Sequence, residues 1–148
     1  MPTLAEQLLN EEVRPQVVRD AAELVDREVK RKRGFKGAAI KAAYKTVKAI
    51  KPGFIPAVID GLLDEWVGKL EGHYAEFLEA GTGERLSAYL DARRDAVAER
   101  LLEVTDERAR VTKHGMARKV YGKLRPSAKA NVEEAVRPLG EMCEPYLR

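Results

Sequence analysis

Apolar residues recur at three- and four-residue steps along most of the chain, and no alternating run of β-branched residues is bounded by turn signals. The pattern therefore predicts an all-α protein. Thr3-Leu-Ala-Glu6 reads as a capping box, in which the threonine hydroxyl and the glutamate carboxylate satisfy opposing amides of a short helix through Leu9. Pro15 suits the first turn of a second helix, whose stripe of Val17, Ala21, Leu24 or Val25, and Val29 runs to Gly34, a left-handed terminator. A third helix from about Gly37 to Ile50 places Ile40, Ala43, Val47 and Ile50 on one face and Lys41, Lys45 and Lys48 on another. Lys51-Pro52-Gly53 stops it.

The most hydrophobic segment follows. Ile55, Val58, Ile59, Leu62, Leu63, Trp66, Val67, Leu70, Tyr74, Phe77 and Leu78 form a stripe broad enough for the centre of a core. Gly61, Gly68 and Gly72 share one side of this helix and mark either a close backbone approach or, the preferred reading, a bend or break at Gly72. After Gly81-Thr82-Gly83, a long helix from about Glu84 to Arg110 turns Leu86, Leu90, Val97, Leu101 and Val104 inward. A helix from about Met116 to Leu124 ends at Arg125-Pro126. Ser127 caps the last one, which carries Val132, Val136, Leu139, Cys143 and Tyr146 and is kinked or broken at Pro138. Residues 1–148 thus make a single compact domain of about six helices around a central hydrophobic helix at 55–78. Lys41 to Val47 and Arg118 to Leu124 share a basic residue, a tyrosine three later and an aliphatic three after that. The similarity is too slight to build a repeat on.

With 148 residues, 45% of them hydrophobic and 34% charged, the composition is that of one folded, highly soluble domain. No apolar run approaches the ~20 residues of a membrane span. The acidic start at Glu6, Glu11 and Glu12 does not resemble a signal peptide, so the expected location is the cytoplasm. Charge is unevenly distributed. Arg27 to Lys51 holds ten Lys or Arg against Glu28 alone, and Arg108 to Lys129 holds eight and no acid, so the remainder carries −14 against an overall +3.

Lys30-Arg-Lys-Arg33 sits at a helix end, where cations complement the dipole. Lys41, Lys45 and Lys48 have no such excuse, because like charges at four-residue steps repel. Asp91, Asp95, Glu99, Glu103 and Glu107 form an acidic ridge of the same spacing. The preferred expectation is that the lysine stripe either faces this ridge or is simply solvated. The other is that the basic blocks join into a phosphate-attracting surface formed by Lys41, Lys45, Lys48, Arg118, Lys119 and Lys123. Sequence-specific DNA reading has little support, since the segment after Pro52-Gly53 is too apolar for a recognition helix. Tyr44 and Tyr121 lie at the border of the apolar and basic faces, where a ring is buried and its hydroxyl stays wet.

Candidate chemistry is sparse. His73 and Glu76 are three apart near Asp60 and Asp64, yet no Glu precedes either histidine by three, as a di-metal bundle requires. His114 reads as a turn residue. Cys143, the single cysteine, has no disulfide partner and lies on an inward stripe. No phosphate-cradling or dinucleotide motif occurs. The residues thus point away from an enzyme, a metal, a cofactor or a small-molecule substrate. A catalytic role for His73 or His114 is the weakest alternative. The favoured function is a non-catalytic interaction module, self-associating or binding another protein, with nonspecific nucleic-acid or polyanion binding as the rival.

Thr3 to Leu9, Gly37 to Phe54, Thr105 to Ala109 and Tyr121 to Arg125 together resemble an uncharacterised family of short bacterial proteins known only as a domain of unknown function. The resemblance spans nearly the full chain. It implies a soluble helical protein of the bacterial cytoplasm and brings no catalytic residue, cofactor or partner with it.

Overall fold

The computed structural model describes residues 2–148, of which helices form 82%. Seven α-helices run in the order α1 (Leu4–Leu8), α2 (Arg14–Arg31), α3 (Gly34–Lys48), α4 (Phe54–Ala80), α5 (Leu86–Asp91), α6 (Arg94–Val111) and α7 (Gly115–Cys143), followed by a 3-10 turn at Glu144–Tyr146. No strand occurs among the described residues. The all-α expectation is met.

The capping box at α1 forms as its residues dictate, with Thr3 Oγ1 accepting from the Glu6 amide at 3.0 Å and Glu6 Oε1 from the Thr3 amide at 3.0 Å. These bonds hold the Glu6 carboxyl below its ordinary range. Five residues are too few for a helix to persist alone. Long-range contacts supply the rest: Glu71 of α4 accepts from the amides of Leu4 at 2.7 Å and Ala5 at 3.0 Å, while Leu4 and Leu8 are buried. A carboxylate at a helix N-terminus complements both its free amides and its dipole.

Helix α4 is central, and Ile59, Leu62, Leu63, Val67, Leu70 and Tyr74 are all buried along it. It is unbroken through Gly72. A Cβ at Gly68 or Gly72 would meet nothing within 4 Å, so neither glycine serves a close approach. That role falls to Gly140 of α7, where a Cβ would lie 2.5 Å from Ser87 Cα and force α5 and α7 apart.

Two helix boundaries differ from expectation. The long helix over 84–110 is two helices, α5 and α6. Arg93 explains the break: its amide bonds to the Leu90 carbonyl at 2.9 Å, and its guanidinium takes the Tyr89 carbonyl at 3.0 Å that a continuing helix would have bonded. The same guanidinium lies 3.6 Å from the Tyr89 ring centroid. Conversely, α7 is one helix through both Pro126 and Pro138. Each proline removes an amide and costs roughly 3 kcal/mol in a helix interior. Contacts with α2, α3, α5 and α6 along its length outweigh those losses.

The principal core joins α1, α2, α4, α5, α6 and the C-terminal part of α7, with Val17, Val97 and Val136 fully buried. Cys143 is part of it, and burial pushes its thiol up to about 12. Helix α3 contributes nothing to this cluster. Its only buried residue is Gly37, which abuts the Lys32 carbonyl so closely that a Cβ would lie 2.6 Å from the carbonyl carbon.

Candidate functional site

The acidic ridge is already engaged. Asp91 pairs with Arg137, Asp95 and Glu99 share Lys129 at 2.6 and 2.9 Å, Glu103 pairs with Lys69, and Glu107 with Arg110. The two carboxylates raise the Lys129 ammonium above its ordinary value. The ridge's partners therefore come from α4, α6 and α7, and of the two alternatives, a lysine stripe facing the ridge or one open to solvent, the structure shows the second. The reason lies in the fold: α6 packs beside α7 and α4, and α3 lies elsewhere, against α2, α4 and α7.

Lys41, Lys45 and Lys48 are exposed on α3, and none forms an ion pair among the described residues. Lys48 Nζ lies 5.1 Å from the Tyr44 ring centroid. That ring is half-buried, as expected of its border position, and its hydroxyl donates to Asp26 at 3.3 Å. Burial is the main cause that raises the Tyr44 phenol. Arg118, Lys119 and Lys123 on α7 are likewise exposed and unpaired among the described residues; Arg118 Nη1 donates to the Thr112 carbonyl at 3.1 Å.

The two basic blocks converge, but through different residues. A cavity of about 380 Å³ lies where the end of α3, the start of α4, the end of α6 and the start of α7 meet. Phe54, Val58, Leu62, Val120 and Leu124 supply its apolar walls, and Lys51, Arg108, His114 and Arg118 stand among them. No carboxylate lines it among the described residues. Of the six basic residues singled out from the sequence, only Arg118 reaches this groove. Lys51 closes the first basic block and Arg108 opens the second, and nothing in their local spacing shows that these two edges face one cavity.

Local contacts fix the groove's walls. Arg108 Nη2 donates to the Gly61 carbonyl at 3.2 Å, tying α6 to α4. The rings of Phe54 and His114 meet edge to face, with centroids 5.1 Å apart. Tyr121 donates its hydroxyl to Asp106 at 2.5 Å and lies in hydrogen-bond contact with Thr105 Oγ1 at 2.8 Å, while Arg125 grips both oxygens of Asp106 at 2.8 and 3.2 Å. Burial first, then Asp106, pushes the Tyr121 phenol up to about 12, and Arg125 is the main cause that lowers the Asp106 carboxyl.

His73 is half-buried on α4, where burial lowers its imidazole and its Nδ1 has no hydrogen-bond partner among the described residues. It does not line the groove. The two histidines thus occupy separate surroundings. Among the described residues no three His, Cys, Asp or Glu side chains come together as metal ligands, and no helix is long and apolar enough to cross a membrane.

No curated protein and no solved structure is significantly similar to this chain. The model of one family, described as a family of unknown function (DUF6918), matches residues 4–147. With nearly every residue inside that match, the chain belongs to this family of unknown function.

Proposed function

We propose that the protein is a non-catalytic binding module of the cytoplasm that holds nucleic acid or a similar polyanion through Lys41, Lys45 and Lys48 of α3 and Arg118, Lys119 and Lys123 of α7. One observation carries this reading: these six cations are exposed and without ion pairs among the described residues, while the acidic ridge that might have neutralised them is occupied by Lys69, Arg110, Lys129 and Arg137. Unneutralised cations held on helices attract phosphates and release condensed counterions when they bind them. Such binding is insensitive to base sequence and sensitive to salt.

Titration with duplex and single-stranded DNA at ~50 and ~200 mM salt tests it. Six phosphate contacts give a loss of affinity of about 10³-fold between the two. No binding at the lower salt removes the reading. Self-association is the second reading, and the observation that favours it is Phe35 on α3, 98% exposed within the first basic block. Light scattering separates the two, since a mass that stays monomeric across concentrations leaves only the polyanion reading.

A further inference from the structure

The groove at the junction of α3, α4, α6 and α7 has a different chemistry from the open lysines. We propose that it binds a single-chain amphiphile, a medium-length acyl chain ending in a carboxylate. Phe54, Val58, Leu62, Val120 and Leu124 give it apolar walls, and the Thr105 and Tyr121 hydroxyls among them are already bonded to the Leu102 carbonyl, to each other and to Asp106. Lys51, Arg108 and Arg118 bring three cations to the same cavity, and no acid lines it among the described residues.

A purely apolar ligand would leave those cations without a counter-charge, and a phosphate alone would leave the walls uncovered. An anion with an apolar tail satisfies both. Its head can accept from guanidinium N–H groups of Arg108 and Arg118 beyond those bonded to Gly61 and Thr112, as charge-assisted bonds. The volume, about 380 Å³, falls within the range of small-molecule sites. Val111 and Met116, both large, apolar and more than half exposed, bracket the turn from which Thr112 and His114 line the groove. They offer an apolar approach to its edge.

Isothermal titration of the full chain with octanoate, decanoate and dodecanoate, with dodecanol as the uncharged control and inorganic phosphate as the headgroup alone, tests the proposal. Saturable binding is expected to tighten by up to about tenfold for every two methylenes. Dodecanol should bind at least tenfold more weakly than dodecanoate, and phosphate not measurably. K51Q and R118Q should each weaken dodecanoate about fivefold. Ala57 lines the groove from an exposed position, so A57W should block binding with the helical circular dichroism unchanged. The triple variant K41Q/K45Q/K48Q should keep dodecanoate affinity whatever it does to DNA, so the two readings fail separately. Absence of saturable dodecanoate binding, equal affinity for dodecanol, or full affinity in A57W overturns the assignment.

Discussion

The two ends of the bundle use the same kinds of residue to opposite effect. Where α1, α5 and the C-terminal part of α7 meet α4, carboxylates are spent on backbone amides: Glu71 holds the start of α1, and Glu144 accepts from the Ser87 amide at 2.9 Å. Leucines there are buried, and Gly140 lets α5 and α7 touch backbone to backbone at Ser87. Where the end of α3 approaches the ends of α4, α6 and α7, a cavity lined by cations and by no carboxylate among the described residues opens beside the buried Phe54 and Leu62. One end is consumed by folding. The other keeps charge and apolar surface in reserve, which is what binding requires.

Truncation on both sides should expose this contrast most strongly. Leu70→Ala, in the closed end, should cost about 3 kcal/mol of unfolding free energy, whereas Leu124→Ala, half-buried on the groove wall, should cost about 1 kcal/mol, since cavity cost scales with burial and packing. Chemical denaturation measures both, and equal losses would dissolve the distinction. Gly140→Ala comes next. Overpacking against Ser87 should outweigh the helix-propensity gain and leave a net loss of about 1–2 kcal/mol, while Gly122→Ala, with open space at its Cβ, should gain a few tenths up to ~1 kcal/mol.

A pH series sharpens the comparison from each end's tyrosine. Tyr146, bonded to Asp20, and Tyr121, bonded to Asp106, are both pushed up to about 12, chiefly by burial. The fold favours the neutral phenol in each. Its contribution is complete below the ordinary phenol value of ~10 and is lost as the pH rises toward 12. The melting temperature should therefore fall over that interval. Tyr121→Phe and Tyr146→Phe should each flatten the fall, as scanning calorimetry would show. The smallest effect belongs to the exposed stripe: K41Q/K45Q/K48Q should change stability by no more than ~0.5 kcal/mol in denaturant titration while weakening DNA binding and making its salt dependence shallower. A large stability change would mean that these lysines serve the fold.

Features whose cause is local were legible in the sequence. The capping box at Thr3, Pro15 in the first turn of α2, the stripe of α4 and the inward position of Cys143 all follow from neighbours within a turn or two. What escaped depends on partners far along the chain. A helix through Pro126 and Pro138 looks forbidden until α7 is seen packed on four other helices, and Arg93 breaks a helix only through where its own guanidinium turns. The ridge and the stripe are legible as charged faces, but whether they pair or stay solvated is not, because spacing within a helix says nothing about which neighbour it meets. Lys51 and Arg108 were visible only as members of basic blocks, since their convergence is a property of four helix ends at once.

Helix α7 spans both regions, and at 29 residues it is a rod of about 43 Å. Its first turns wall the cavity and its last turns are clamped by Val136, Gly140 and Cys143. A guest lodged at one tip would thus be linked, through a shared strut, to the melting of the whole molecule, and thermal shift becomes a screen for occupants that requires no label and no assay of activity.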